Sequence, residues 1–131
     1  MKSKKINLTI TGCLGKMGQQ LIESASKNKR FIIKSLTESK IQKKKIKGIL
    51  PKLNNAEAFK DSDIIIDFTI PKCTLEVLKI AAKNKKRVVI GTTGFSKKEE
   101  NLIKKISKKI PILKAGNRSL GINLLMYLTE I

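Results

Sequence analysis

Apolar and polar side chains alternate strictly over residues 6–11, which read INLTIT. A period of two in β-favouring residues predicts a strand. The alternation stops at Gly12, and glycines recur at Gly15 and Gly18. Apolar residues then repeat at the spacing of one helix face, at Met17, Leu21, Ile22 and Ala25. The pattern therefore predicts a strand, a glycine turn and a helix that ends near residues 27–30.

Four more apolar runs predict strands farther along the chain. They cover residues 31–37, 63–69, 87–91 and 111–115. The run after Asp63 is continuous, which is typical of a strand buried on both faces of a parallel sheet. Residues 39–60 are irregular, because lysines and Pro51 favour a loop with at most a short helix over residues 56–59.

Helices are predicted between the later strands and after the last one. Pro71 suits the first turn of a helix. The apolar face of that helix carries Leu75, Leu78, Ala81 and Ala82. Ser96 and Glu99 form a capping-box pair that opens the next helix, and a final helix is predicted from about residue 119. This alternation predicts an α/β fold, a doubly wound parallel sheet of the Rossmann type, in one domain over residues 1–131.

The spacing of Gly12, Gly15 and Gly18 suits the binding of a pyrophosphate. Glycine lets the chain turn tightly and lets backbone N–H groups approach phosphate oxygens, and the following helix N-terminus adds unpaired donors. The pattern is G-x-x-G-x-x-G, with Leu14 where the commoner pattern has glycine. A tight turn without a ligand is the alternative interpretation.

An acidic residue, Glu38, follows the second predicted strand. Dinucleotide sites use an acid at this place to hold a ribose hydroxyl. Glu38 lies 26 residues after Gly12, beyond the typical spacing of about 20, so an acid in a surface loop is the alternative. The glycine turn, Glu38, Thr69 and the turns at 91–94 and 116–118 all follow strands, and this convergence favours nucleotide binding.

Composition narrows the choice of partners. The net charge is +19, and aromatic residues make up 4% of the chain. The lysines are spread over loops and helices, and a platform for single-stranded nucleic acid should carry aromatic side chains for stacking. We therefore predict a solvated lysine-rich surface that attracts a phosphorylated cofactor and an anionic substrate, with no nucleic acid partner. A nucleic-acid-binding basic domain is a further alternative.

Cysteine content and hydropathy indicate the compartment. Cys13 and Cys73 form neither a C-x-x-C pair nor a metal-spaced set, and the chain contains no histidine. No apolar run approaches the roughly 20 residues of a membrane span. These features predict a reduced cytoplasmic protein with no metal site and no membrane association. The small Cys13 side chain fits the turn, and a reactive thiol there is the less favoured interpretation.

Four segments of the chain form a set with a recognisable order. They read GCLGKMG at 12–18, IDFTIP at 66–71, VIGTTGF at 89–95 and NRSLGIN at 117–123. Together they resemble the dihydrodipicolinate (4-hydroxy-tetrahydrodipicolinate) reductase family. The first is shared by many dinucleotide folds, whereas the second and third are specific to the family in this order and spacing. The resemblance implies the NAD(P)H-dependent reduction of a cyclic imine-type dicarboxylate in the diaminopimelate route to lysine.

The resemblance also implies roles for individual residues. The pyrophosphate loop would be Gly12, Cys13, Leu14, Gly15, Lys16 and Met17, with Glu38 on the adenosine ribose. The nicotinamide would lie beside Gly91, Thr92 and Thr93, and the end of its cleft would be closed by Ala115, Gly116, Asn117 and Arg118. The cofactor would be NADH or NADPH. Lys16, Ser39–Lys40 and Ile70 stand where many relatives carry arginine, so dual use or an NAD preference is expected rather than strict NADP use.

The catalytic segment of the family, E-x-H-H-x-x-K-x-D-x-P-S-G-T, is absent from these residues. In the family it lies in a second domain that binds the dicarboxylate and donates a proton. We therefore expect an amino-terminal, cofactor-binding portion of a reductase with no catalytic residue of its own. The resemblance implies a homo-oligomeric full-length parent. The alternative is a stand-alone NAD(P)-binding sensor or regulatory module without catalysis.

Overall fold

The structure of the protein, a computed structural model, describes residues 5–115. The strands are β1 (Ile6–Thr11), β2 (Phe31–Thr37), β3 (Ile64–Asp67), β4 (Arg87–Ile90) and β5 (Ile112–Lys114). The helices are α1 (Lys16–Lys27), α2 (Ala56–Phe59), α3 (Pro71–Lys83) and α4 (Lys97–Ile106). The predicted order of elements is confirmed over these residues. The final helix predicted from about residue 119 lies outside the described residues, as do Gly116, Asn117 and Arg118.

All strand pairs in the sheet are parallel, and the strand order is β2-β1-β3-β4-β5. From β1 the chain passes to β2 on one side and then returns to β3 on the other side. This reversal creates a crevice between the carboxyl ends of β1 and β3, where ligands bind in open α/β sheets. The doubly wound parallel sheet is therefore confirmed.

Helices cover both faces of the sheet, and β3 contributes to both cores. Ile64 and Ile66 pack in the cluster that contains Leu21 and Ile22 of α1. Ile65 packs in the cluster that contains residues of α3 and α4. The continuous apolar run thus forms a strand buried on both faces, as predicted.

The polar side chains of β1 are buried, unlike those of a strand that has one solvent-exposed face. Thr9 and Thr11 are as fully buried as Leu8 and Ile10. The Thr9 hydroxyl bonds the Ser35 hydroxyl at 2.7 Å, and the Thr11 hydroxyl donates to Asp67. The alternation predicted the strand, but these polar side chains lie inside, where a hydroxyl satisfies Thr9 and a carboxylate satisfies Thr11.

The irregular segment between β2 and β3 is anchored beside the carboxyl end of β2. The Glu38 N–H donates to the Lys52 carbonyl at 2.9 Å, and the Lys52 N–H donates to the Leu36 carbonyl at 2.8 Å. Asn55 then caps α2 by accepting the Ala58 N–H at 2.8 Å. The predicted loop and short helix are confirmed, and these bonds hold the loop beside the crevice.

The two predicted helix starts are also confirmed. Pro71 begins α3, where its missing N–H leaves no bond unmade. At α4 the Glu99 N–H donates to the Ser96 side chain at 3.1 Å, and the Ser96 N–H donates to the Glu99 carboxylate at 2.8 Å. This reciprocal capping box fixes where the chain leaves the β4 turn and becomes helical.

Candidate functional site

A cavity of about 320 Å³ opens at the carboxyl ends of β1 and β3. It is lined by Gly12, Gly15, Glu38, Ser39, Asn54, Phe68, Thr69, Ile70 and Cys73. The glycine turn and Glu38 therefore share one concave surface, although they are far apart in sequence. The segment after β3 forms its opposite wall.

The glycine turn packs too closely for side chains at two of its glycines. Gly12 has a φ of +60°, and a Cβ there would lie 2.8 Å from the Thr69 Cγ2 atom and 3.1 Å from the Phe68 carbonyl oxygen. A Cβ on Gly18 would collide with the Gly12 carbonyl oxygen. The missing side chain at Gly12 lets the turn pack against the segment after β3. The missing side chain at Gly18 lets α1 start directly behind the turn.

Three N–H groups of the turn already have partners inside the protein. The Cys13 N–H donates to the Thr37 carbonyl at 3.2 Å, and the Gly15 N–H donates to the Gly12 carbonyl at 3.0 Å. The Leu14 N–H donates to the Glu38 carboxylate at 3.0 Å. After the turn come the first-turn N–H groups of α1, residues 16–18, which a helix cannot bond internally. Gly15, the N-cap, offers no side chain to cap them.

Glu38 links the ends of β1 and β2. One carboxylate oxygen accepts the Leu14 N–H, and the other accepts the Ser39 N–H at 3.0 Å. These bonds hold the half-buried carboxylate at the rim of the cavity. The acid predicted to meet the ribose is thus fixed beside the glycine turn.

Cys13 contributes its backbone and not its thiol. The side chain is fully buried in the core cluster with Leu8 and Ile10. Burial and, to a lesser extent, the Glu38 charge raise the pKa of the Cys13 thiol from 9.0 to about 11. A neutral, buried thiol is inert, which supports the interpretation of Cys13 as a small packing residue.

The opposite wall of the crevice is held by Asp67, a residue to which sequence reasoning gave no role. Asp67 ends β3 and is fully buried. Its carboxylate accepts hydrogen bonds from four threonine hydroxyls, at Thr11, Thr69, Thr74 and Thr92. The signal available in the sequence was an acid at the end of an otherwise apolar strand, followed by spaced threonines.

The predicted nicotinamide turn lies next to this cluster. The Gly91 N–H donates to the Asp67 carbonyl at 2.8 Å, and a Cβ on Gly91 would overlap the Phe68 ring. Thr92 is buried, whereas Thr93 is exposed. The Ala115 N–H donates to the Ile90 carbonyl at 2.7 Å, which extends the β4–β5 pairing. Gly91, Thr92 and Ala115 thus lie together at the carboxyl end of β4, reached from the cavity through Phe68 and Thr69.

Within residues 5–115, no group of three or more His, Cys, Asp or Glu side chains is placed to hold a metal ion. Over the same range, no helix combines the length and the apolar character that crossing a membrane requires.

The parallel sheet, its strand reversal and the glycine turn define a Rossmann-like α/β domain. The profile described as "Dihydrodipicolinate reductase, N-terminus" matches residues 6–118, and the chain belongs to this family. It is 68% identical over 128 residues to the 4-hydroxy-tetrahydrodipicolinate reductase of Pelagibacter ubique, covering 98% of this chain and 50% of that protein. The protein of the same name from Bdellovibrio bacteriovorus is 39% identical, covering 93% of this chain and 48% of the relative. The chain thus spans about half the length of the relatives it matches.

Solved structures resemble this chain more closely in fold than in sequence. A dipicolinate-bound dihydrodipicolinate reductase from Paenisporosarcina sp. TG-14 superposes with a TM-score of 0.65 at 23% identity, covering 79% of this chain and 43% of that one. A homoserine dehydrogenase from S. aureus gives a TM-score of 0.71 at 21% identity, covering 87% and 34%. At such identities the likeness concerns the fold alone.

Proposed function

We propose that this chain binds a reduced nicotinamide dinucleotide in the crevice between β1 and β3. The observation that carries the proposal is the arrangement around the glycine turn. The first-turn N–H groups of α1 have no partner within the helix, and they lie behind a turn in which the N–H groups of residues 13–15 are bonded within the protein. A pyrophosphate on residues 16–18 would receive these donors and the positive end of the helix dipole.

The adenosine ribose would meet Glu38. Both carboxylate oxygens are anchored by backbone N–H groups at 3.0 Å, and a carboxylate has further lone pairs for ribose hydroxyls. The nicotinamide would extend toward the 91–93 turn, with residues 115–118 closing that end.

Cofactor choice follows from the charges near the ribose. Glu38 favours a free 2′-hydroxyl, while Lys16 and Lys40 are available to offset the charge of a 2′-phosphate. We propose that NADH and NADPH bind with dissociation constants within about 100-fold of each other, roughly 2.7 kcal/mol.

The proposed reaction is that named for the relatives. In the longer protein, NAD(P)H would reduce 4-hydroxy-tetrahydrodipicolinate, a small dicarboxylate, in the diaminopimelate route to lysine. The cofactor supplies the hydride when bound, and the residues described here bind and orient it. The dicarboxylate and the proton donor would belong to a substrate domain. We further propose a cytoplasmic, homo-oligomeric parent enzyme.

Two assays on the 131-residue chain test the proposal. NADH fluorescence titration should show saturable, one-to-one binding that persists at about 0.3 M salt, where screening weakens diffuse attraction to surface lysines. NADH oxidation with freshly generated substrate should be absent, because these 131 residues include no histidine. Failure to bind NADH would overturn the site, and turnover by this chain alone would overturn the division of labour.

A further inference from the structure

The buried carboxylate of Asp67 is held almost entirely by side-chain hydroxyls. Thr11 donates to one oxygen at 2.5 Å, and Thr92 donates to the other at 3.1 Å. Thr69 lies 3.1 and 3.2 Å from the two oxygens, and Thr74 bonds the second oxygen closely. Among the ion pairs of residues 5–115, none includes Asp67. Burying a carboxylate costs free energy that these hydroxyl donors offset.

The four hydroxyls come from four parts of the chain. Thr11 ends β1 immediately before the glycine turn, and Thr69 lines the cavity wall. Thr74 lies in α3, and Thr92 lies in the turn after β4. One carboxylate therefore sets the distances among the segments that surround the crevice.

A second set of bonds ties two of these segments directly. The Thr69 N–H donates to the Thr92 hydroxyl at 2.8 Å. The Thr74 hydroxyl lies 2.9 Å from the same oxygen. The Thr92 hydroxyl accepts the Thr69 N–H and donates to the Asp67 carboxylate, so both of its hydrogen-bonding functions are satisfied within the protein. Its role is to hold the wall and the turn at a fixed separation.

Stability alone does not explain this arrangement. Replacing a buried charged group by well-packed apolar residues is often neutral or stabilising, so a purely structural core position has simpler solutions. A network that is fully hydrogen-bonded instead fixes one precise geometry. The part of the crevice fixed here is the wall and turn at the nicotinamide end of the proposed site.

We propose that Asp67 is a positioning residue for the nicotinamide nucleoside half of the dinucleotide. It acts through Thr69 and Thr92, which it holds at the spacing that admits the nicotinamide and its ribose. The adenosine and pyrophosphate half depends instead on Glu38 and the first turn of α1. This inference rests on the proposed dinucleotide binding.

The test compares two ligands on the same variants. ADP carries the adenosine and pyrophosphate only, whereas NADH adds the nicotinamide nucleoside. Asp67→Asn keeps the side-chain shape but removes the charge and one acceptor oxygen. Thr69 and Thr92 are then held less firmly, and we expect NADH affinity to fall about 10-fold. ADP affinity should change by less than about threefold, because the Glu38 carboxylate bonds the Leu14 and Ser39 N–H groups and not Asp67.

Thr74→Val is a second variant, at a residue of α3 that lies behind the cavity wall formed by Thr69. It is isosteric, removes one hydroxyl from Asp67, and should lower NADH affinity with ADP affinity retained, while Thr74→Ser should restore it. The matched control is Thr9→Val, which removes a buried hydroxyl bonded to Ser35 and Ser62 instead. The control should lower thermal stability without changing the ratio of NADH to ADP affinity.

Each outcome bears on a different claim. Equal losses for NADH and ADP, or unchanged NADH affinity in the folded variants, would overturn the role of Asp67. If Asp67→Asn does not fold, the Thr74→Val and Thr74→Ser pair decides the same question. If the wild-type chain binds neither ligand, the proposed function fails as well, and that result is recognisable before any variant is made.

Discussion

The two sides of the crevice are held together by different chemical groups. On the glycine side, formed by residues 12–18 and Glu38, backbone N–H groups donate the hydrogen bonds, and the absence of Cβ atoms allows the backbone to pack closely. On the threonine side, formed by Asp67, Thr69, Thr74 and Thr92, hydroxyls converge on one buried carboxylate. The glycine side offers unbonded amides to a ligand, whereas the threonine side uses its polar groups internally.

This difference suggests a division of work in binding. Open N–H donors at a helix start recognise an anion directly. A closed hydroxyl network presents few groups to a ligand but keeps two loops at a fixed distance. We therefore expect substitutions on the glycine side to affect every nucleotide ligand and substitutions on the threonine side to affect mainly ligands that carry nicotinamide.

Gly12→Val should have the largest effect. The side chain would meet Thr69 and the Phe68 carbonyl, and the positive φ adds strain of about 1–3 kcal/mol. We expect affinity for both NADH and ADP to fall by more than about 100-fold, measured by calorimetric titration.

Gly48→Val is the matched control for strain, since Gly48 has a φ of +81° and no atom within 4 Å of a Cβ. It should lower the melting temperature and retain nucleotide affinity. Wild-type affinity in a folded Gly12→Val variant would contradict the assignment of the turn.

Gly91→Ala should separate the two sides of the crevice. The new methyl would overlap the Phe68 ring, so the turn at residues 91–93, where the nicotinamide is proposed to lie, must shift away from the ring. Overpacking of about 1–3 kcal/mol predicts a roughly 10-fold loss of NADH affinity, with ADP affinity largely retained.

The smaller side chain of Phe68→Leu should partly restore NADH affinity in the Gly91→Ala background. A double-mutant cycle measures this coupling. Strictly additive losses would show that the overlap between these two residues is not the cause.

Glu38→Gln should change the preference between NADH and NADPH more than it changes the affinity for either cofactor. Removing this charge lowers repulsion toward a 2′-phosphate, so the ratio of NADPH to NADH affinity should rise about 10-fold. Glu23→Gln removes an equal charge from the exposed ion pair between Glu23 on α1 and Lys47 in the loop after β2, and it should leave the ratio unchanged. A similar rise in both variants would indicate a general charge effect.

Cys13→Ala should have the smallest effect on binding, because the thiol points into the core. Its effect should appear in stability at high pH. The folded pKa of about 11 exceeds the ordinary 9.0, so the stabilisation is complete below pH 9 and is lost as pH rises toward 11. Denaturant unfolding of wild type should lose more stability over this interval than Cys13→Ala. Parallel curves would show that the Cys13 thiol is not the group responsible.

Much of the fold could be predicted because its signals are local. The glycine spacing, the apolar run of β3 and the Ser96–Glu99 box each report on neighbouring residues, and each is confirmed. The threonine side could not be predicted in the same way. Thr11, Asp67 and Thr92 meet only after three strands are aligned, and a threonine in a strand looks the same whether its hydroxyl meets water or a carboxylate.

The sequence pattern did not predict that Cys13 is buried or that the Leu14 N–H donates to Glu38, for the same reason. Both depend on how close the end of β2 comes to the glycine turn. The pattern indicated which residues form the turn, but not which of its amides stay open for a ligand.

Amide NMR titration of the ¹⁵N-labelled chain tests the central claim most directly. ADP should shift the amides of residues 16–18 most strongly, together with those near Glu38, and should leave the 91–94 turn almost unchanged. NADH should shift both sets, with saturation at one equivalent. Shifts scattered over surface lysines, or an equal response of the 91–94 turn to ADP, would contradict the account.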